Sequence, residues 1–127
     1  MNLQARTIAV IDDNPRVLES LVNFHASYGY EACRYISAEQ FLQEDGPGKN
    51  SCIIADIEMG QMSGLGLTEY LRRSDCDVPI ILITGNPSAR SGSFYREGGA
   101  TASFRKPVDG DALVEVIRSV WSRPEPE

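Results

Sequence analysis

Several residues with reactive or metal-binding side chains follow directly after apolar runs of this 127-residue chain. They are Asp12, Asp13, Asp56, Thr84 and Lys106. Crowded carboxylates repel one another, and a hard divalent cation with oxygen ligands is the usual way to hold them together. Magnesium accepts one or two carboxylates plus water molecules and bridges readily to phosphate oxygens. These residue types therefore predict a magnesium site suited to phosphate chemistry.

The same residues predict how a phosphoryl group is handled at such a site. Asp56 is the candidate nucleophile, because carboxylates form acyl phosphates in phosphotransfer proteins. Thr84 and Lys106 are candidates to bind the phosphoryl oxygens, while the metal and the ammonium group neutralise the charge of the transition state. Taken singly, each residue also fits a helix start, a turn or a solvated surface. Their occurrence at the ends of four separate apolar runs favours a common site.

The apolar runs alternate with segments of helical periodicity, which predicts alternating strands and helices. The predicted strands cover residues 7–11, 30–35, 52–55, 79–84 and 101–105. The predicted helices run from Pro15 to Gly29, from Ser37 through Leu42, and across residues 65–73, 88–97 and 111–122. Residues 45–50 are predicted as a loop. The fourth helix should be poor, because Gly92 interrupts it.

This order of elements predicts an α/β fold with a parallel sheet covered on both sides. Right-handed crossovers favour the flavodoxin-like (βα)5 three-layer sandwich with strand order 2-1-3-4-5. In such a sheet, ligands bind beyond the carboxyl ends of the strands, where the five residues named first also stand. We expect a single domain over residues 1–127, with a core from about residue 7 to residue 122 and a frayed tail at 123–127.

Charge and composition argue against several classes of protein. The formal charge of −6 is unfavourable for a nucleic-acid or membrane partner, since both need a basic surface. Neither a signal peptide nor a bilayer-spanning run is present, so we expect a cytoplasmic protein. Three widely spaced cysteines and a single histidine, His25, do not suit a zinc site. Cys33 and Cys52 are expected in strands or the core, and Cys76 in a loop.

Four segments carry a resemblance to a known family. In chain order they read IAVIDDNPRVLESL, IIADIEMGQMSGLGL, PIILITG and GATASFRKPVDGDALVEVI, and they cover about Thr7 to Ser122. Together they resemble the receiver domain of two-component response regulators, a CheY-like family, and within it the FixJ-like group. The resemblance implies that a sensor histidine kinase or a histidine phosphotransfer protein phosphorylates Asp56. A downstream protein target, and a homodimer that forms on phosphorylation, are the further partners that it allows.

The resemblance also implies roles for the residues around Asp56. Asp13 and Asp56, with the backbone carbonyl of Glu58, would hold Mg²⁺, and Asp12 would act mainly through water. Thr84 and Lys106 match the hydroxyl and the lysine of the family, in which the peptide bond between this lysine and the following proline is cis. Such a domain promotes only its own phosphorylation and dephosphorylation, so we do not expect an enzyme that acts on other molecules.

The chain departs from the family pattern in three places. Gly60 stands where the family usually has proline, which predicts a looser loop after Asp56. The fourth helix, SARSGSFYREGG, should be marginal. Ser103 replaces the aromatic residue that usually switches conformation on the fifth strand, and Phe104 points to the opposite face of the sheet. We therefore predict that activation reorders Asn86 to Gly98, with little rotamer change on the fifth strand.

Three other interpretations compete with a stand-alone phosphorylated receiver, which Met1 and the short tail favour. The chain could be the receiver half of a longer DNA-binding transcription regulator. A metal-dependent phosphohydrolase with an aspartyl nucleophile is less favoured, because Glu58 replaces the second aspartate of that motif and no cap domain exists. A degenerate receiver that is never phosphorylated is disfavoured by the intact set of site residues.

Overall fold

Strands and helices alternate along the chain in the computed structural model, which describes residues 7–47, 52–86 and 90–121. The strands are β1 (Thr7–Ile11), β2 (Glu31–Tyr35), β3 (Cys52–Asp56), β4 (Ile80–Thr84) and β5 (Ala102–Arg105). The helices are α1 (Pro15–Ala26), α2 (Ala38–Glu44), α3 (Gly64–Arg73), α4 (Gly92–Glu97) and α5 (Gly110–Trp121).

The five strands form one parallel sheet in the order β2-β1-β3-β4-β5, as predicted. The register aligns the carboxyl ends of the central strands. Ile11 lies beside Ala55, Asp56 beside Ile83, and Thr84 beside Arg105. The residues that follow these strands therefore meet at one edge of the sheet.

Side-chain alternation along the strands fills two hydrophobic cores, one on each face of the sheet. One core joins the sheet to α1 and α5 through residues such as Leu18, Val22, Leu113 and Ile117. The other joins it to α2, α3 and α4 and includes Phe41, Leu67, Leu71 and Tyr95. The result is the predicted flavodoxin-like three-layer sandwich.

Polar side chains fix where the helices begin. Asn14 accepts hydrogen bonds from the backbone N–H groups of Arg16 and Val17, at 3.0 and 3.5 Å, immediately after β1 and the two aspartates. Ser37 Oγ likewise accepts from the Gln40 N–H at 3.0 Å, in agreement with the predicted capping motif. The cap at Asn14 fixes the start of α1 directly after the two aspartates.

Two predicted helix boundaries are wrong. The first helix ends at Ala26, two residues before the last position of its predicted pattern, Tyr28, and the turn of residues 27–29 then ends at Gly29, the predicted closing residue, with a φ of +84°. The fourth helix begins at Gly92, which therefore opens the helix and does not interrupt it. The cause is Ser91, whose side chain accepts a hydrogen bond from the Phe94 N–H and caps the helix at this point.

The cysteines lie where they were predicted. Cys33 is half-buried on β2, Cys52 is fully buried in β3, and Cys76 lies in the loop after α3. Burial raises the pKa of the Cys52 thiol to about 12, so this thiol is inert at neutral pH.

Among the described residues, no helix has both the length and the apolar character needed to cross a membrane. The predicted tail at 123–127, Ser122, residues 48–50 of the predicted loop and residues 87–89 lie outside the described part of the chain.

Candidate functional site

Three carboxylates meet at the carboxyl edge of the sheet, as predicted. Asp12, Asp13 and Asp56 each offer an oxygen within 4.8 Å of the others. The side chains of Asp12 and Asp56 are buried, whereas Asp13 is exposed to solvent. β1 and β3 are neighbours in the sheet, and this pairing brings together residues that lie more than forty positions apart in sequence. Oxygen atoms spaced in this way fit the ligand set of a hard divalent cation.

Lys106 links the two buried carboxylates. Its Nζ atom lies 3.2 Å from Asp12 Oδ2 and 3.1 Å from Asp56 Oδ2, and about a quarter of its side chain is exposed (25%). The Lys106 backbone N–H donates to the Thr84 carbonyl at 2.7 Å, and the Lys106–Pro107 peptide bond is cis, as the resemblance implied. The ammonium group compensates two negative charges that burial would otherwise disfavour.

Opposing influences act on the ionisation of Asp56. Burial, together with the charge of the Asp12 carboxylate, raises the pKa of Asp56 to about 6. Lys106 and the Glu58 N–H, which donates to Asp56 Oδ1 at 3.1 Å, favour the charged form but do not outweigh burial. Asp56 is thus a buried carboxylate that stays ionised at neutral pH and is directed at a cationic neighbour.

Thr84 ends β4 beside Asp56, and its hydroxyl group has a partner that the sequence did not predict. Thr84 Oγ1 donates to the Glu58 carboxylate, with distances of 2.9 and 2.8 Å to Oε1 and Oε2. The Gly85 N–H donates to the same carboxylate at 3.4 Å. Only the backbone carbonyl of Glu58 was expected at the site. The available signal was the pairing of β3 with β4, which places the residues after Asp56 next to those after Ile83.

The loop between β3 and α3 closes tightly against Asp56. The Gly64 N–H donates to the Ile57 carbonyl at 3.1 Å, and the Ile57 N–H donates to the Ile83 carbonyl at 2.7 Å. A Cβ atom at Gly64 would lie 2.6 Å from the Asp56 carbonyl oxygen, so only glycine allows this close approach. Gly60, which stands where the family usually has proline, is different. A Cβ there would meet nothing within 4 Å, so packing does not require glycine at this position.

Strand β5 and helix α4 meet beside the site without the usual aromatic residue. Phe104 packs into the core shared with α1 and α5, as predicted from side-chain alternation. Ser103 lies on the other face, where a Cβ added at Gly92 would be 3.3 Å from its Oγ. Tyr95 of α4 is buried in the opposite core, and its hydroxyl accepts a hydrogen bond from the Arg90 N–H at 3.2 Å. The buried aromatic side chain that α4 contributes to this side of the sheet is therefore Tyr95.

A groove opens next to Lys106, between α1 and the loop after β5. It has a volume of about 570 Å³. Its lining residues are Arg16, Val17, Ser20, Leu21, Gly85, Lys106, Pro107 and Val108. The groove borders the site at the lysine and provides a mainly apolar surface with one arginine at its edge.

Comparison with known proteins identifies the family. The family model for the response regulator receiver domain matches residues 8–118. The response regulator protein TmoT of Ectopseudomonas mendocina is 33% identical over 119 residues, which cover 94% of this chain and 54% of that protein. The transcriptional regulatory protein FixJ of Azorhizobium caulinodans is 30% identical over 116 residues, which cover 91% of this chain and 55% of that protein. The chain spans about half the length of these relatives.

Solved structures agree with the family model. The crystal structure of FixJ-N has a TM-score of 0.84 at 26% identity, and the match covers 98% of this chain and 100% of that one. The response regulator StyR has a TM-score of 0.81 at 31% identity, with 91% of this chain and 58% of that one covered. With its sheet order, its site geometry and these relatives, the chain belongs to the response regulator receiver domain family and is a signalling domain of a two-component system.

Proposed function

We propose that Asp56 accepts a phosphoryl group from a sensor histidine kinase or a histidine phosphotransfer protein. The observation that carries the proposal is the placement of Asp56, which lies within the acidic cluster and 3.1 Å from the Lys106 ammonium group. A carboxylate oxygen of Asp56 attacks the phosphorus atom, and the bond between phosphorus and the donor nitrogen breaks. The electron pair of that bond returns to the donor imidazole.

The residues around Asp56 would bind the phosphoryl oxygens and the metal ion. Lys106 neutralises charge on the transferred group, and the Thr84 hydroxyl donates to one of its oxygens. Mg²⁺, held by the carboxylates of Asp13 and Asp56 and the Glu58 carbonyl, would supply further positive charge to the phosphoryl oxygens. Asp12 would contribute through water. The acidic cluster supports this assignment, since its three oxygens are close enough to share one ion.

Phosphorylation by a small donor tests the proposal. Incubation with acetyl phosphate and Mg²⁺, followed by measurement of the intact mass, should show one hydroxylamine-sensitive phosphoryl adduct. Asp56→Asn should abolish it, whereas Asp77→Asn, at an exposed acid in the loop before β4, should not. An adduct that persists on the Asp56 variant would assign the phosphoryl group to another residue. Steady release of phosphate without an adduct would indicate a phosphohydrolase, and no reaction would indicate a degenerate receiver.

The groove beside Lys106 is the side from which we expect the donor protein to approach. A donor histidine must reach Asp56 from beyond the strand ends, and α1 with the loop after β5 flanks that route. Arg16 is exposed at the start of α1 and lines the groove. Arg16→Glu should slow transfer from the cognate donor protein and leave phosphorylation by acetyl phosphate unchanged. Equal transfer rates for both proteins would exclude this surface.

A second candidate is that this receiver serves as one half of a longer transcription regulator. The observation in its favour is that relatives named as regulators, such as FixJ of Azorhizobium caulinodans, are about twice as long as the matched region. In either case the reaction at Asp56 is the same, and we expect it in the cytoplasm. A single domain over residues 1–127 stays a prediction.

A further inference from the structure

The Glu58 side chain blocks one of the groups that the proposed phosphoryl acceptor needs. We propose that the Glu58 carboxylate is an internal competitor of the phosphoryl group for the Thr84 hydroxyl, so that phosphorylation must displace it. This inference rests on the proposed function of Asp56. In it Glu58 acts as a positioning residue through its side chain, separately from the backbone carbonyl that is expected to bind Mg²⁺.

The Thr84 hydroxyl cannot donate to the Glu58 carboxylate and to a phosphoryl oxygen at the same time. A hydroxyl group has a single hydrogen to donate. The Thr84 hydroxyl directs it to the Glu58 carboxylate at 2.8–2.9 Å, while the Asn86 N–H donates to the Thr84 oxygen at 3.0 Å and occupies an acceptor position. A phosphoryl oxygen on Asp56 can receive the hydrogen only after Glu58 has left.

The Gly85 N–H is a second donor that the Glu58 carboxylate occupies. It donates to Glu58 Oε1 at 3.4 Å, so one carboxylate occupies both neighbouring donors at the end of β4. Asp56 lies on the adjacent strand and accepts the Glu58 N–H at 3.1 Å. The carboxylate of Glu58 and a phosphoryl group on Asp56 would therefore use the same donors and repel each other by charge.

The exposure of Glu58 allows it to leave. Its side chain faces solvent, unlike the buried Thr84, so the released carboxylate regains water. Exposure also limits how strongly the contact holds, because solvent screens a charged hydrogen bond at the surface. We therefore expect a modest competition, with a change in affinity of roughly threefold to tenfold when the carboxylate is removed.

A double-mutant cycle with beryllofluoride as the phosphoryl analogue tests the competition. Affinity for Mg²⁺ and beryllofluoride is measured by isothermal titration for the wild-type protein, Glu58→Ala, Thr84→Val and the double variant. Glu58→Ala keeps the backbone carbonyl and should bind about threefold to tenfold more tightly than wild type. In the Thr84→Val background the same substitution should give a clearly smaller gain, since only the Gly85 N–H and the charge of Glu58 remain to oppose the analogue.

The double-mutant cycle distinguishes competition for the Thr84 hydroxyl from a general effect of the Glu58 charge. An equal gain in both backgrounds would overturn the competition and assign the effect to the charge of Glu58 at a distance. No gain in the wild-type background would also overturn it. Failure of the wild-type protein to bind beryllofluoride would instead reject the proposed function of Asp56, and the inference with it.

Hydrogen exchange measured without Mg²⁺ or beryllofluoride tests the contact between Glu58 and Thr84 in the unphosphorylated protein. Amide hydrogen exchange at Gly85 and Asn86 should be faster in Glu58→Ala than in wild type, because the first amide loses its acceptor and the second loses the fixed position of Thr84. Glu58→Gln, which keeps an oxygen acceptor without the charge, should give an intermediate rate. Unchanged exchange at both amides in Glu58→Ala would show that the contact does not hold Thr84 and would overturn the inference.

Discussion

The carboxyl group of Asp56 lies in surroundings that oppose its ionisation. Its pKa of about 6 in the folded protein is above the ordinary value of 3.8, mainly because it is buried. At pH values between 3.8 and about 6, the folded state binds more protons than the unfolded chain. The free energy of unfolding therefore falls as pH rises through this window. At neutral pH, without metal, the ionised Asp56 therefore destabilises the fold that holds it.

Asp56→Asn should consequently stabilise the protein at pH 7. We expect the free energy of unfolding to rise by about 1–2 kcal/mol, less than the full pKa shift would give because partial access of solvent screens the carboxylate. At pH 4, where Asp56 is already protonated in the folded state, the gain should nearly vanish. Urea unfolding at pH 7 and at pH 4, in the presence of a chelator, measures this gain in the free energy of unfolding. An equal gain at both pH values would contradict the pKa argument, and Asp77→Asn serves as the exposed control.

Single residues also show how far the site could be predicted. Asp12, Asp56, Thr84 and Lys106 were placed together correctly, because each ends or directly follows a strand and the carboxyl ends of parallel strands meet at one edge. The contact between Glu58 and Thr84 was missed. Strand order determines which residues reach the edge of a sheet, but a long side chain can turn toward several neighbours, and only the three-dimensional structure selects one.

Among the elements, α3 is hydrogen-bonded through Arg72 to the two loops beside it. The Arg72 guanidinium donates to the carbonyl oxygens of Gly99, Cys76 and Val78 at 2.8–3.1 Å. These carbonyls belong to the turn before β5 and to the loop that leads into β4. Gly99 adopts a φ of +110°, and a Cβ there would lie 2.9 Å from Arg72 Cγ, so the turn closes directly over the arginine. Arg72 thus connects three segments that share no strand or helix.

Arg72→Met should therefore destabilise the fold although it keeps much of the aliphatic bulk. We expect a loss of about 1–3 kcal/mol in the free energy of unfolding, because partly buried carbonyls lose their donors. Arg73→Met is the matched control, since Arg73 is exposed and makes one contact, at 3.4 Å, to the Glu69 carbonyl. Chemical denaturation of both variants gives the comparison, and equal losses would show that the contacts of Arg72 do not matter.

Helix α4 is the element that we expect to respond to phosphorylation. It has six residues and is fixed chiefly by the buried Tyr95, whose hydroxyl accepts the Arg90 N–H. We predict that Mg²⁺ and beryllofluoride change hydrogen exchange across Asn86 to Gly98, in which residues 87–89 lie outside the described chain. Amides of α2 provide the internal control. Changes confined to β5 would contradict this prediction.

The same helix shows why its start was mispredicted. A glycine inside a helical pattern is ordinarily read as a weak point, and Gly92 was read in that way. In the structure Gly92 is the first helical residue after the Ser91 cap. It faces β5, where a Cβ would lie within 3.3 Å of Ser103 Oγ. That contact between elements distant in sequence is absent from any local pattern, whereas the start of the strongly periodic α5 was predicted to within one residue.

At the scale of the whole molecule, the sheet separates two cores that differ in their relation to the site. The core toward α1 and α5 is built largely from aliphatic side chains. The opposite core includes Met59 from the loop after Asp56 and Tyr95 from α4, so it reaches the elements around the site. The strand order that creates this division was predictable, because alternating elements and right-handed crossovers allow few topologies.

The bridge from Lys106 to Asp12 and Asp56 has a consequence for the domain as a whole. Lys106 serves as a counter-ion to Asp12 and Asp56, although for Asp56 it offsets only part of the effect of burial. We therefore expect the domain to fold without a divalent cation, in contrast to domains that unfold when their metal is removed. A chelator should then abolish the proposed phosphorylation of Asp56 while the domain stays folded.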